Sequence, residues 1–422
     1  MGLLDLSLVA SIPVVKVLLI CGLGSFLALD HIDILGDSAR KELNNMVFFV
    51  FNPALVSSNL AQTITSENII SLWFMPLNIL LTYIVGSFLG WEINKITKSP
   101  QHLKGLVMGL CAAGNLGSLP FVLVPAICRE KGSPFGAPDS CHKYAMAYVS
   151  LSMAIGAIYL WSIVYNTVRV SSTMINEVIN VNNANFDEET SKALQEQINS
   201  EFDSECTSAT DHANESSLPC AKTDKQGKVL ILDTIKKQLY SFFRSSNLKA
   251  IIAPSTTAAI VGFIIGLVPP VQKLLVGADA PLHVIQDSAL LLGCREAAVP
   301  IIILTVGGNL LKGLRGPGVQ LSLILGIIAV RSVVLPLIGV LVIKGAIHLG
   351  FVHADPLYQF ILLLQYALPP AINIVHISHL AGTITQIFGS GQSECAVILL
   401  WTYSVSSVTL TLWSTFFMWL VA

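Results

Sequence analysis

The sequence predicts an all-α polytopic membrane protein, with ten transmembrane helices forming two inverted five-helix repeats and with helices 4 and 9 broken by proline and crossed. Three observations support this fold. First, hydrophobic residues make up 53% of the 422 and charged residues only 12%, about half the roughly 25% usual in soluble domains; the mean hydropathy is +0.69. Second, apolar segments of bilayer-spanning length recur, and each in the second half begins roughly 250 residues after a counterpart in the first. Third, two of these segments carry helix breakers at matching places. Pro120 plus 250 is Pro370, and Asn115 plus 250 is Gln365.

The segments, in chain order, are Leu8–Leu29, Leu43–Ala61, Ile69–Gly90, Leu103–Cys128, Tyr144–Val168, Leu248–Val268, Ala289–Leu311, Val319–Ile343, Leu357–Leu380 and Cys395–Val421. Asn59-Leu60 near the end of the second is echoed by Asn309-Leu310 near the end of the seventh. Five spans per half is an odd number, so the second half enters the membrane from the opposite face and the repeat is inverted. Residues 1–168 form the first repeat, 169–247 a connecting loop and 248–422 the second repeat.

Loop charge sets the orientation. One face carries Arg40, Lys41, Lys95, Lys98, Lys104, Arg169, Lys236, Lys237, Arg244, Lys249, Lys312 and Arg315. The other carries Arg129, Lys131, Lys143, Lys273 and Lys344. The richer face is placed in the cytosol, which leaves both termini on the far side. The connecting loop is then cytosolic. Between Asn180 and Ser217 it is polar and poor in large apolar residues, a composition that favours disorder. Its stretch 229–244 repeats apolar residues at helical spacing around Lys236, Lys237 and Arg244, and is read as a helix on the membrane surface. Asn214-Glu-Ser216 is a glycosylation sequon that this topology leaves unused.

Several classes of function are excluded or unsupported. A formal charge of −2 without a basic stripe argues against nucleic acid as a partner. The start shows no cleavable signal peptide, since Asp5 stands where a basic region is needed. There is no phosphate-binding loop, paired-histidine metal motif or nucleophile elbow, so neither an enzyme nor a cofactor is expected. The eight cysteines show no metal-ligand spacing. Cys128 and Cys141 flank one polar loop on the non-cytosolic face, where an oxidising lumen favours a disulfide; two unpaired thiols remain the alternative.

The breaks draw most of the candidate substrate-binding residues together: Asn115, Gly117 and Pro120 at the first, and Gln365, Pro369, Pro370 and Asn373 at the second. Broken backbone at membrane depth is tolerated only where protein buries it or it lines a cavity. Each restarted half-helix presents unpaired N–H groups and the positive end of its dipole, which hold a carboxylate without a charged side chain. Asn115 and Gln365 add amide donors, with helix-to-helix hydrogen bonding as the competing reading. Ser152, Gly156 and Tyr159 share a face of the fifth span. Ser152 and Tyr159 are candidates for substrate contact, against close helix packing. Arg331 lies nearer the centre of its span than a snorkelling residue should, and intramembrane charge is functional by default. His376 and His379, one turn apart, are read as polar lining or a proton relay.

These same residues resemble the PIN-LIKES proteins of plants, relatives of the PIN auxin efflux carriers. The resemblance rests on Phe51-Asn-Pro-Ala-Leu-Val56, Gly114-Asn-Leu-Gly-Ser-Leu-Pro120, Lys131-Gly-Ser-Pro-Phe-Gly136 with Ser152-Met-Ala-Ile-Gly-Ala-Ile-Tyr159, and Gln365-Tyr-Ala-Leu-Pro-Pro370, and it covers all ten spans. It implies a carrier of auxin (indole-3-acetic acid) in the endoplasmic reticulum membrane that limits the hormone reaching the nucleus. It also implies a scaffold of helices 1, 2, 6 and 7 and a transport domain of helices 3–5 and 8–10. In PIN carriers, asparagine and proline at the crossover contact the substrate carboxylate, and Asn115 and Pro120 match that motif. The second crossover departs from PIN after its first proline, at Pro370-Ala-Ile-Asn373. Two other readings stay open: a sodium- or proton-coupled symporter of another organic anion, and a non-transporting membrane receptor. The partners expected are indole-3-acetic acid and the lipid bilayer, and a homodimer is left open.

Overall fold

A chain this apolar has few structural options in lipid, because each backbone N–H and C=O must be satisfied within the protein. The computed structural model describes residues 2–64, 71–168, 254–277, 279–292, 295–314, 318–371 and 391–422, and among them the regular elements are helices. The surface helix expected at 229–244, Asn214, Asn373, His376 and His379 lie outside the described residues.

In the first half, α1 (Leu3–Leu27) is followed by α2 (Asp37–Met46), which passes through a π-helical turn at Val47–Phe51 into α3 (Asn52–Thr63). Then come α4 (Phe74–Thr97), α5 (Gln101–Ala112), α6 (Ser118–Arg129) and α7 (Pro138–Tyr159), the last running on through a second π turn at Leu160–Val164. In the second half, α8 (Pro254–Leu267) bends by 102° into α9 (Pro269–Leu275). After α10 (His283–Leu292) and α11 (Arg295–Leu314), α12 (Leu321–Ala329) continues through a third π turn, Val330–Val334, into α13 (Leu335–His348). The chain ends with α14 (Pro356–Ala367) and α15 (Gly391–Val421).

Among the described residues, five helical runs are able by length and composition to cross a membrane: Leu3–Leu27, Phe74–Thr97, Pro138–Val168, Leu321–His348 and Glu394–Val421. The bent pair α8–α9 makes a sixth. Fewer spans than the ten expected qualify among the described residues, and parts of the sixth, seventh and ninth segments lie outside those residues. The fourth segment is cut between α5 and α6, and α14 stops at Ala367 in the middle of the ninth. The second is diluted by Asn44, Asn45, Asn52 and Asn59. The chain is therefore a polytopic helical membrane protein. Its outer faces display Leu19, Ile84, Leu341 and Leu412, all more than half exposed, as side chains facing lipid do.

Several helix pairs approach so closely that only glycine fits between them, two of them linking early and late segments of the chain. A Cβ on Gly24 of α1 would lie 2.1 Å from the Leu304 carbonyl oxygen of α11, and one on Gly307 would lie 2.1 Å from that of Cys21. The Ser25 hydroxyl donates across the same seam to the Gly307 carbonyl at 2.8 Å. Similarly, α3 packs on α8 at Gly262 and Gly266, whose added Cβ atoms would meet the carbonyl oxygens of Ser57 and Ile64. Small residues at membrane helix contacts let backbones meet where hydrophobicity gives no drive to associate.

Candidate functional site

The site begins where two helices stop. α5 ends at Ala112 and α6 starts at Ser118, leaving 113–117 without helix; α14 ends at Ala367, and 368–371 are likewise without helix. These two stretches cross and pair as an isolated antiparallel bridge between Gly114 and Pro370. The Asn115 N–H donates to the Pro369 carbonyl at 2.8 Å, and the Ala371 N–H donates to the Ala113 carbonyl at 2.9 Å. Unpaired backbone groups cost several kcal/mol each in lipid, and this pairing removes four of them. The prolines lower the demand further. Pro369 and Pro370 bring no N–H to the crossing, and Pro120 is the third residue of α6, where an N–H has no intrahelical partner in any case. Pro370 therefore lies in the crossing segment itself.

Side chains tie the crossing to its surroundings in two groups. In the first, the Asn115 amide donates to the Tyr403 hydroxyl of α15 at 2.8 Å, and that hydroxyl donates to the Pro370 carbonyl at 2.9 Å. Asn115 and Tyr403 thus link one break to the other. Arg331, in the π turn between α12 and α13, reaches the Pro369 carbonyl with Nη2 at 3.5 Å. In the second group, Gln365 of α14 accepts from the Asn78 amide at 2.8 Å through Oε1 and donates to the Ser152 hydroxyl at 3.0 Å through Nε2. The Tyr366 hydroxyl donates to Asn78 Oδ1 at 3.1 Å. The groups adjoin, because a Cβ on Gly114 would lie 3.5 Å from the Gln365 carbonyl oxygen. Asn78, Ser152, Gln365 and Asn115 are all buried, so the crossing is closed to solvent in this conformation.

Of the residues expected from sequence, the structure gathers Asn115, Pro369, Pro370, Gln365 and Ser152. Gly117 caps α6 beside Met153 of α7. Tyr159 is turned toward α4 instead: its hydroxyl donates to the Pro76 carbonyl at 3.3 Å and its ring meets Tyr83 edge-on at 5.9 Å. The Tyr83 hydroxyl in turn donates to the Gly156 carbonyl at 3.1 Å. Asn78, Tyr366 and Tyr403 escaped the sequence reading. Asn78 had a signal, as a lone amide in the apolar run Ile69–Gly90. Cys128 and Cys141 are joined by a disulfide with their Cα atoms 5.6 Å apart, tying the end of α6 to the start of α7.

A cavity of about 390 Å³ lies near the start of α14, lined among others by Gln62, Lys143, Tyr148, His353, Asp355 and Tyr358. Its depth relative to the crossing follows from helix geometry. Tyr148 is one turn from Ser152 on α7, and Tyr358 is seven residues from Gln365 on α14, about 10 Å along the axis. The Tyr148 hydroxyl donates to Asp355 at 2.7 Å, and Tyr148 and Tyr358 meet edge-to-face at 5.3 Å. The cavity is thus lined by aromatic rings together with a cation and a carboxylate, and it shares two helices, α7 and α14, with the Gln365–Ser152 contact.

Comparison with known proteins agrees with a transport architecture. Residues 9–414 match the family model described as membrane transport protein. The chain is 51% identical over its whole length to PIN-LIKES 1 of Arabidopsis thaliana, covering 81% of that protein, and 49% identical to PIN-LIKES 3, covering 99% of it. Similarity extends, at 20% identity over 87% of the chain, to an uncharacterized transporter of Schizosaccharomyces pombe. With its crossed helix breaks, its buried amide network and these matches along almost the entire sequence, the chain belongs to the PIN-LIKES family of membrane transport proteins.

Proposed function

We propose that this protein is a secondary carrier that moves indole-3-acetic acid across the endoplasmic reticulum membrane and so limits nuclear auxin signalling. The observation that carries the reading is the crossing of two interrupted helices at Gly114 and Pro370, the arrangement that places binding sites at the membrane midplane in secondary transporters. In this reading the chain has ten spans in two inverted repeats. Helices 1, 2, 6 and 7 are the scaffold, and helices 3–5 and 8–10 carry the site. Asn115, Gly117, Pro120, Gln365, Pro369, Pro370 and Ser152 line the substrate path, with Asn373 and Tyr159 at its edges. The carboxylate takes the N-terminal end of α6 and the Asn115 amide, and the indole ring approaches through the cavity lined by aromatic rings. Both termini are lumenal and the central loop is cytosolic. The Cys128–Cys141 disulfide supports this orientation, since such bonds persist on oxidising faces.

The test is uptake of radiolabelled indole-3-acetic acid into proteoliposomes, with and without sodium and proton gradients, for the wild type and Asn115→Ala. The acid is expected to enter wild-type vesicles and to be lost selectively from the variant. No uptake by the wild type, or uptake driven only by a sodium gradient, overturns the reading in favour of a receptor or of a sodium symporter.

A further inference from the structure

Arg331 stands apart from the other polar groups of the core. Its residue exposure is 2%, it sits in the middle of the helical run Leu321–His348, and it is the largest fully buried side chain among the described residues. It makes no ion pair among the described residues. Nε and Nη1 have no hydrogen-bond partner there, and Nη2 has only the long contact to the Pro369 carbonyl. The segment that continues the second crossing, 372–390, contains no Asp or Glu. Among the described residues, the ionisable groups that act electrostatically on it are Cys111, Tyr83 and Tyr403, none of them a carboxylate.

A guanidinium buried without a counter-charge is among the most costly arrangements a protein core holds. Inside a membrane such a charge marks a ligand or ion pathway. Its position is specific. Arg331 occupies a π turn, an irregularity frequent at functional sites. Its Nη2 lies 3.0 Å from where a Cβ on Gly114 would be, so the bridge residue is a glycine partly because the guanidinium fills that space. The Pro369 carbonyl receives both Arg331 Nη2 and the Asn115 N–H, and Tyr403, which holds Asn115, donates to the next carbonyl along, that of Pro370. The charge is therefore placed against the crossing, on the same backbone that carries the asparagine.

We propose that Arg331 is the counter-charge for the transported anion: a fixed positive charge against the crossing that makes the site prefer a monovalent carboxylate over its neutral analogue. The inference rests on the carrier reading above and adds the origin of its charge selectivity. No direct contact is required. Two unit charges about 8 Å apart in a protein of effective dielectric about 20 attract enough to change binding by roughly 10- to 100-fold. The unliganded site holds one uncompensated charge, and the loaded site is neutral.

The experiment compares binding of indole-3-acetic acid and indole-3-acetamide to the purified full-length protein and to Arg331→Gln, Arg331→Met and Arg331→Lys, together with thermal melts of each without ligand. Wild type is expected to prefer the acid. The two neutral variants should bind the acid about 10- to 100-fold more weakly and the amide within about two-fold of wild type, so that the preference disappears, while Arg331→Lys keeps it. They should also melt no lower than wild type, because they remove a charge that has no partner among the described residues. An acid preference that survives in a folded neutral variant overturns the proposal. So does failure of both neutral variants to fold, which would mean that the guanidinium is a paired structural group. A wild type that binds neither ligand overturns the carrier reading and the counter-charge with it.

Discussion

Tyr403→Phe is the substitution that separates holding the crossing shut from binding at it. The change is nearly isosteric and removes one oxygen, the atom that accepts from the Asn115 amide at 2.8 Å and donates to the Pro370 carbonyl at 2.9 Å. Each neutral hydrogen bond contributes about 1 kcal/mol net, so the unliganded closed form should lose about 2 kcal/mol and melt at a lower temperature. Binding should move the other way. For the amide to serve a carboxylate it must leave Tyr403, and in the wild type that departure costs about 1 kcal/mol. With phenylalanine the cost is gone, and indole-3-acetic acid should bind about five-fold more tightly. Calorimetry or scintillation proximity on purified protein gives the affinity, and a thiol-reactive dye melt gives the stability. The reasoning fails if the variant binds the acid as weakly as Asn115→Ala does. Tyr403 would then orient Asn115 for the ligand and not compete with it.

Three further outcomes are expected. A Cys128→Ser, Cys141→Ser double variant should be less stable by about 3 kcal/mol, by chain entropy for a loop of this size; a thermal melt of the double variant against wild type measures the loss, and non-reducing alkylation of wild type, with mass analysis, should find these two thiols blocked. Gly307→Ala should strongly lower the yield of folded protein, since its Cβ would meet the Cys21 carbonyl at 2.1 Å and neither backbone can yield; normal monodisperse expression would show that α1 and α11 tolerate separation. A double-mutant cycle on Asn78→Ala and Gln365→Ala should give a coupling of about 0.6 kcal/mol, and no more than about 1.7, as for other intramembrane hydrogen bonds; additive losses would mean the 2.8 Å contact contributes nothing to stability.

The breaks around Asn115 and Pro370 were legible in sequence because glycine and proline state a backbone requirement locally. The partners of those breaks were not. That the Asn115 N–H meets Pro369, and its side chain Tyr403, depends on how segments some 250 and 288 positions apart are brought together, and nothing local encodes such a pairing. Gln365 was singled out by its place in the second break and Ser152 by its helix face, and only the structure shows that they bond each other. Tyr159 shows the opposite failure. It shares a helical face with Ser152 by spacing, yet seven residues along a helix carries a side chain about 10 Å away, far enough to reach a different neighbour. Arg331 was visible as an intramembrane charge, but its lack of an acidic partner among the described residues is a property of the packed core.

The bridge between Gly114 and Pro370 also has a kinetic meaning. Backbone outside regular helix ordinarily exchanges its amide protons quickly, since local openings there cost little. At this crossing two amides, Asn115 and Ala371, are bonded to buried carbonyls on the opposite chain segment, and releasing either one requires the two segments to part. Their deuterium uptake therefore reports separation of the two segments directly. If the protein alternates between its states with the bridge intact, both amides should exchange as slowly as the helix cores around them, and the pair of broken helices behaves as one rigid part of the machine.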